Sequence, residues 1–306
     1  MSLVMVEQKG IKDNSSITGV KSLLGVHGLF LKKSLGQNFL VDKNIRTKIV
    51  EACQLREDDT VLEVGTGLGV LSVALAEKAK KVTTVEIDSR LEPILRQIFS
   101  SQDNITLIMN DILQLDWEKT LEITEPQKVV VCANLPYYIT SPVIFNILDH
   151  LSLVKRAVLM MQKEVAERLL ARPGTKEYGL ITAMVTWKAT VSPVTRVSRN
   201  CYYPVPEVDS SVVRLEPRES LVEVKDEEVL RRLVRDAFQM RRKTMNNVLC
   251  RRGLSRDDAS MVLMEAGIDP MCRGETLSIE EFARIADGLT DRGKKHDFSE
   301  SDPGKT

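Results

Sequence analysis

Apolar residues in the first half of the chain fall into short runs that each end in a glycine or a polar residue. The longest run, from Val129 to Ala133, is unbroken and predicts a buried strand. Asn134 follows it, and Pro136 prevents the strand from continuing. Three other predicted strands end at Gly65, Glu86 and Asp111. Helical segments separate the strands, so the pattern predicts an α/β fold whose four polar strand ends share one edge of the sheet.

Ligands of open α/β sheets bind at the carboxyl ends of the strands, and Asn134-Leu135-Pro136-Tyr137 stands at such an end. The Asn134 side-chain oxygen and the carbonyl of Leu135 or Pro136 can accept hydrogen bonds from an exocyclic amine. A tyrosine ring can stack on the face of the same base. The segment therefore predicts a site for the amino group of a flat base.

A glycine-rich turn, Gly65-Thr66-Gly67-Leu68-Gly69, follows the strand that begins at Thr60. Its spacing is G-x-G-x-G, whereas the dinucleotide fingerprint requires a glycine at the position of Val70. The spacing argues against NAD or FAD and fits a nucleoside cofactor without a pyrophosphate, such as S-adenosylmethionine. Considered alone, the turn is also compatible with a tight bend that binds no ligand.

Two carboxylates at strand ends support a nucleoside cofactor. Glu86 lies 21 residues after Gly65, about the distance at which an acidic residue holds a ribose diol. Asp88 is the alternative for that role, although it also suits the start of the next helix as a cap. Asp111 can accept from an adenine amino group, or it can cap a turn. The row of four polar strand ends favours ligand binding over four separate coincidences.

The second half of the chain changes from an irregular to a helical pattern. A fifth strand is predicted at Val154–Met161 and a last one at Ser211–Leu215, but the pattern does not order residues 180–197. After an acidic linker the pattern is helical from Val229 to about Leu289. Its first part is basic, which indicates phosphate contacts, with a solvated helix face as the alternative. The basic residues are Arg231, Arg232, Arg235, Arg241, Arg242, Lys243, Arg251 and Arg252.

Composition narrows the class of protein. The 306 residues are 43% hydrophobic and 28% charged with no net charge, so bulk charge does not decide whether the chain binds nucleic acid. No apolar run approaches the roughly 20 residues of a membrane span, and we expect no signal or transit peptide. The five cysteines are scattered and form no cluster with the three histidines. They indicate reduced thiols in a cytoplasmic protein and no metal site.

Two segments are highly specific as signs of one protein family. They are Gly36-Gln37-Asn38-Phe39-Leu40 and Asn134-Leu135-Pro136-Tyr137. Many amino-methylating enzymes have proline at the position of Leu135. Further matching segments begin at Glu63, Val85, Asn110, Gln162, Pro204, Ala237 and Gly267. Together they resemble the KsgA-type family of small-subunit ribosomal RNA adenine dimethyltransferases, from about Lys32 to Leu289.

The resemblance implies a Rossmann-like, S-adenosylmethionine-dependent methyltransferase domain with a smaller all-helical C-terminal domain. It also implies dimethylation of the N6 amino groups of two adjacent adenines near the 3′ end of 16S rRNA in the small ribosomal subunit, as part of ribosome biogenesis. The expected limits are a flexible leader over 1–30, the methyltransferase domain over 31–216, a helical RNA-binding domain over 217–290 and a disordered tail over 291–306.

The resemblance also assigns roles to individual residues. By the family pattern the cofactor contacts Gln37, Asn38, Leu40, Gly65, Glu86, Asp111 and Asn134. The target base is expected against Asn134, Leu135, Pro136, Tyr137 and Tyr202, and RNA phosphates against Arg241, Arg242 and Lys243. Tyr202 stands where members often have phenylalanine, and simple packing is its alternative role.

Two other functions remain open at this point. One is a large-subunit rRNA adenine methyltransferase of the macrolide-resistance type, and the other is a ribosome assembly factor without catalysis. The segments Phe238–Thr244 and Gly267–Pro270 favour the small-subunit group, and the intact set of acidic and amide residues favours catalysis. We expect a monomer that acts on the small subunit in the cytoplasm, without a membrane partner.

Overall fold

The computed structural model describes residues 14–31, 36–122, 127–218 and 222–293, which fall into two units. The first unit comprises the residues up to 166 together with 191–217, and the second comprises 167–190 together with the residues from 218 on. The domain limits predicted from the sequence stay a prediction. They assign 167–190 to the methyltransferase domain, whereas in the structure these residues cluster with the helical unit.

A mixed sheet of seven strands forms the centre of the first unit, with the order β4-β3-β2-β5-β6-β9-β7. The strands are β1 (Phe39–Leu40), β2 (Thr60–Val64), β3 (Lys81–Glu86), β4 (Ile105–Met109), β5 (Val129–Asn134), β6 (Val154–Gln162), β7 (Ala189–Val197), β8 (Tyr202–Tyr203) and β9 (Ser210–Pro217). Strands β2 to β6 run parallel to one another, and β9 is antiparallel to β6. The short strands β1 and β8 pair with each other outside this sheet.

The parallel register aligns the carboxyl ends of the central strands. Val64 on β2 lies opposite Val85 on β3 and Ala133 on β5. Every residue from Val129 to Ala133 is fully buried, as expected for a central parallel strand covered on both faces. The predicted α/β class is confirmed, and the residues that follow these strands meet at one edge.

Helices cover the sheet, and several begin at a side-chain cap. Those that start in the first unit are α1 (Ile17–Val26), α2 (Lys43–Cys53), α3 (Val70–Ala76), α4 (Glu92–Ile98), α5 (Trp117–Leu121), α6 (Thr140–Asp149) and α7 (Lys163–Leu169). The Asp42 side chain accepts from the Ile45 amide at 3.0 Å and starts α2. Pro142 occupies the first turn of α6, where its missing N–H costs no helix bond.

Helix α1 corrects the prediction of a flexible leader over 1–30. Residues 1–13 lie outside the described part of the chain, but α1 is a ten-residue helix with one apolar face. That face buries Val20 and Leu23 in a cluster that also contains Leu68 from the glycine-rich turn. The apolar residues are spaced three and four apart, the spacing of a helix packed on one side, and the surrounding Gly and Ser residues obscured it.

The second unit is helical, as predicted. Its helices are α8 (Leu180–Lys188), α9 (Glu227–Gln239), α10 (Met245–Cys250), α11 (Arg256–Glu265) and α12 (Ile279–Asp291). In its core the rings of Tyr178 and Phe238 pack edge to face at 5.5 Å, and the Tyr178 hydroxyl donates to the Leu277 carbonyl at 2.9 Å. The sequence predicted a disordered tail over 291–306. Its residues from 294 on lie outside the described part of the chain.

Three observations concern membranes, metals and thiols. Within the described ranges, no helix is long and apolar enough to cross a bilayer. The same residues contain no group of three or more His, Cys, Asp or Glu side chains that could hold a metal ion. The five cysteines are free thiols.

Candidate active site

A cavity of about 170 Å³ opens at the carboxyl edge of the sheet in the first unit. The structure brings together all eleven residues of this unit that were predicted to bind the cofactor or the target base. They are Gln37, Asn38, Leu40, Gly65, Glu86, Asp111, Asn134, Leu135, Pro136, Tyr137 and Tyr202. Their individual roles stay predictions, which the contacts below refine.

The glycine-rich turn adopts backbone angles that side chains rarely allow. Gly65 and Gly67 have φ values of 80° and 56°. A Cβ added at Gly67 would stand 3.3 Å from the Phe39 ring, and one at Gly65 would stand 3.5 Å from the Asn134 carbonyl oxygen. Glycine therefore lets the turn pass close to the segment that carries the predicted base site.

Glu86 is held at the end of β3 by three backbone donors. Its Oε2 accepts from the Gly67 amide at 2.9 Å, and its Oε1 accepts from the amides of Ile87 and Asp88 at 3.0 and 2.9 Å. Burial raises the pKa of Glu86 above its ordinary value, while these N–H groups act in the opposite direction. A fixed carboxylate acceptor beside the glycine turn matches the hydroxyl donors of a ribose.

Asp88 is occupied by other partners. Arg90 donates to it through Nε at 2.8 Å and Nη2 at 2.5 Å, and Gln37 donates through Nε2 at 2.8 Å. The hydrogen bond from Arg90 is the largest of the effects that lower the pKa of Asp88. These bonds favour Glu86 over Asp88 as the ribose acceptor, and they direct the Gln37 amide nitrogen toward Asp88.

Asp111 caps a turn and also lies at the cavity, so its predicted contact with an adenine amino group stays a prediction. Its Oδ1 accepts from the Leu113 amide at 2.9 Å and caps a 3₁₀ turn, and the residue also lines the cavity. No donor among the described residues contacts its Oδ2. The cap therefore orients the carboxylate while leaving one oxygen for an amino group.

Asn134 is oriented by its neighbour in the N-terminal loop. Its Nδ2 donates to the Asn38 carbonyl at 3.3 Å, so Oδ1 is left as an acceptor, with no donor among the described residues. The Leu135 amide donates to the Met160 carbonyl at 2.9 Å and ties the segment to β6. The amide of Asn134 can thus accept from an amine in the cavity.

The structure distinguishes between the carbonyls of Leu135 and Pro136, which the sequence left as alternative acceptors for the amine. The Pro136 carbonyl already accepts from the Ile139 amide and the Thr140 hydroxyl, both at 3.2 Å. Its two lone pairs are occupied. The Leu135 carbonyl receives no hydrogen bond from the described residues, so it is the better second acceptor for an exocyclic amine.

Tyr202 is a packing residue that also lines the cavity. It pairs with Leu40 across the two-stranded sheet, and only 1% of it is exposed. The packing alternative considered for this ring is realised. Its predicted contact with the base stays a prediction.

Glu63 is a cavity residue that the sequence analysis did not assign. It is fully buried on β2, and its Oε2 accepts from the Ser72 and Thr84 hydroxyls at 2.5 and 2.6 Å. Burial raises the pKa of Glu63 to about 7, and the nearby Glu86 carboxylate acts in the same direction. The signal in the sequence was a charged residue inside an otherwise apolar strand.

The raised pKa of Glu63 predicts a pH-dependent stability difference. Below pH 4.5 the Glu63 carboxyl is neutral in both the folded and the unfolded protein. As the pH rises, the carboxyl ionises first in the unfolded chain, which favours unfolding. The contribution of Glu63 to the free energy of unfolding therefore falls until about pH 7 and is constant above it. Over this interval this contribution to the free energy of unfolding decreases by about 3 kcal/mol. We expect the free energy of unfolding of the wild type minus that of Glu63→Gln to decline by this amount between pH 4.5 and 7 in urea titrations. A difference that stays constant over this interval would contradict the assignment.

The predicted RNA-binding residues belong to the second unit. Arg241 donates to Glu275 Oε2 at 2.5 Å and to the Lys176 carbonyl at 2.7 Å. Arg242 and Lys243 are exposed, and no carboxylate among the described residues pairs with either. Arg242 and Lys243 are therefore better placed than Arg241 to meet a phosphate.

The wider set of eight basic residues divides in the same way. Those paired with a carboxylate are Arg231, Arg232, Arg241 and Arg252. Those exposed, without a carboxylate partner in the described part of the chain, are Arg235, Arg242, Lys243 and Arg251. The charge available to a ligand is therefore about half of what the sequence count indicated.

Comparisons with known proteins bear on the family of the chain. A family model described as ribosomal RNA adenine dimethylase matches residues 29–291. A relative from Bacillus mycoides, ribosomal RNA small subunit methyltransferase A, is 42% identical over 286 residues, 91% of this chain and 98% of the relative. A dimethyladenosine transferase structure from Plasmodium falciparum has a TM-score of 0.68 at 30% identity, covering 83% of this chain and 98% of that one. The 23S rRNA methyltransferase ErmE has a TM-score of 0.62 at 28% identity, covering 83% and 100%.

Proposed function

Because this chain belongs to the ribosomal RNA adenine dimethylase family, we propose that it dimethylates the N6 amino groups of two adjacent adenines near the 3′ end of 16S rRNA in the small ribosomal subunit. The observation that carries the proposal is a single cavity in which Asn134 and the Leu135 carbonyl offer two acceptors beside Glu86 and Asp111. The enzyme is taken to act as a cytoplasmic monomer during ribosome biogenesis.

The residues of the cavity fit S-adenosylmethionine, which supplies a methyl group already activated on a sulfonium. Glu86 would accept from the ribose hydroxyls and Asp111 from the adenine amino group, while Gly65 leaves room for the cofactor over the turn. The chain needs no covalent nucleophile for such a transfer. Cys132, fully buried on β5, is therefore a core residue.

The target amine is activated by position. The N6 lone pair of adenine is delocalised into the ring, and two acceptors for its N–H groups favour a pyramidal nitrogen whose lone pair faces the methyl group. Asn134 Oδ1 and the Leu135 carbonyl are those acceptors, and the Tyr137 ring would stack on the base. The base must leave its stack to enter the cavity. Most of the acceleration then comes from orientation and electrostatics.

The experiment that tests the proposal is methyl transfer from labelled S-adenosylmethionine to small ribosomal subunits that lack the native dimethyladenines. Naked rRNA and large subunits serve as controls. We expect label on the small subunit, recovered as dimethyladenosine. Label on large-subunit rRNA alone would indicate a large-subunit rRNA methyltransferase instead. Tight binding to the subunit without label would indicate a ribosome assembly factor without catalysis.

The exposed cationic side chains of Arg242 and Lys243 are expected to bind RNA phosphates. Arg242→Ala combined with Lys243→Ala should raise KM for small subunits and lower the slope of log affinity against log salt by about 1.5, because each phosphate contact contributes roughly 0.7 to 0.9. The matched control is Lys225→Ala with Arg292→Ala, which removes two charges that are each paired with a carboxylate. An equal change in salt slope for both double variants would contradict the assignment.

A further inference from the structure

The Tyr137 hydroxyl has a buried partner that the proposed chemistry does not use. It forms a hydrogen bond of 3.2 Å with the Ser210 hydroxyl, and Ser210 is only 1% exposed. Tyr137 itself lines the cavity and is half-buried, whereas Ser210 lies outside the lining. A hydroxyl behind the cavity wall therefore contacts the ring that is expected to stack on the base.

Ser210 is fixed by the backbone on both sides. It is the first residue of β9 and pairs with Gln162 on β6. The preceding Asp209 accepts from the Lys163 amide at 3.0 Å through its carbonyl and from the Arg199 amide at 2.9 Å through its side chain. The Ser210 hydroxyl is thus attached to the same sheet that positions Asn134.

Tyr137 lies in the segment that joins β5 to α6. It begins a 3₁₀ turn, Tyr137–Ile139, which leads directly into α6 and whose N-terminus has no side-chain cap. The Tyr202 hydroxyl lies near Ser210 as well, but no described residue forms a hydrogen bond of normal geometry with it. The hydrogen bond with Ser210 therefore links the Tyr137 hydroxyl, at the far end of the ring, to β9 of the sheet.

We propose that Ser210 is a positioning residue that fixes the Tyr137 ring against the target adenine and thereby sustains the second methyl transfer. The inference rests on the proposed function. In each transfer N6 forms a bond to the methyl carbon as the carbon–sulfur bond breaks, leaving S-adenosylhomocysteine, and N6 loses a proton to water. The second transfer needs the lone pair of a methylated nitrogen in the same place, although the base now carries an extra group. A ring that drifts tolerates the first geometry better than the second.

A double-mutant cycle tests the link. Ser210→Ala and Tyr137→Phe should each lower kcat about five- to tenfold, as expected for one lost hydrogen bond, and the double variant should lose no more than either single one. Monomethyladenosine should accumulate in all three variants, with KM for small subunits and cofactor affinity within about twofold of the wild type. Product ratios are compared at equal methyl incorporation, where a smaller fraction of folded enzyme alone would leave the ratio of mono- to dimethylated product unchanged.

The matched control is Ser211→Ala. Ser211 follows on the same strand, pairs with Met161, and points to the opposite face. It should leave kcat and the product ratio unchanged. Losses that multiply in the double variant, or a product ratio equal to that of the wild type, would overturn the role of Ser210. Failure of the wild-type enzyme to dimethylate small subunits would instead refute the proposed function, so the two outcomes are distinct.

Discussion

Asn134→Ala should lower methyl transfer to the small subunit by about a thousandfold or more, while cofactor affinity falls by less than about tenfold. The variant removes the acceptor that the Asn38 carbonyl orients, and with it one of the two groups that would hold the N6 amine. The cofactor retains the contacts expected from Glu86 and Asp111. The loss should therefore appear in kcat on small subunits and only weakly in cofactor binding.

Single-turnover methyl transfer and calorimetric titration with S-adenosylmethionine together measure this separation. Asn44→Ala is a suitable control, because Asn44 is an exposed amide on α2 that does not line the cavity. Equal losses of transfer and cofactor affinity in Asn134→Ala would show that the side chain serves the cofactor, and the assignment to the target amine would be wrong.

Glu86→Ala should weaken cofactor binding by about a hundredfold or more, since hydrogen bonds to a charged group contribute about 1.5 to 3 kcal/mol each. The variant also leaves the amides of Gly67, Ile87 and Asp88 without their acceptor, which should loosen the glycine-rich turn. Glu86→Gln should recover little, because its NH₂ group would face N–H donors. The same titration measures both variants.

The pH dependence of cofactor affinity gives a second measure of Glu86. The ionised carboxylate is the proposed acceptor for the ribose, and burial raises the pKa of Glu86 above 4.5. Affinity should be constant at high pH and decline as pH falls through that raised pKa, and Glu86→Ala should remove this decline. Glu92→Ala, which removes a carboxylate paired with Arg96 on α4, should retain it. Wild-type affinity in Glu86→Ala would transfer the ribose role to another residue.

The row of polar strand ends could be predicted because its signals are local. An apolar run such as Val129–Ala133 predicts a buried strand, and Pro136 shows that the strand ends within a few residues. Parallel pairing then brings the ends together without further information. The glycine spacing after β2 and the acidic residue at the end of β3 follow from the same short-range reasoning.

The features that escaped prediction depend on contacts between distant residues. Ser210 meets Tyr137 across 73 positions of the chain, and no short window contains that pair. Residues 167–190 join the helical unit although strands precede and follow them in sequence. The choice between the carbonyls of Leu135 and Pro136 required knowledge of the turn that follows them. Tertiary packing decides each of these points.

Helix α1 bears on how a shorter version of the protein should be designed. The family match begins at residue 29, which makes that position a natural choice for the first residue of a recombinant fragment. Such a fragment would lack Val20 and Leu23, and it would expose the apolar surface around Leu68 to water. It would also lose the hydrogen bond from Asn14 to the Leu68 carbonyl, within the glycine-rich turn. For crystallisation or inhibitor screening, the helix is part of the catalytic unit and should be retained.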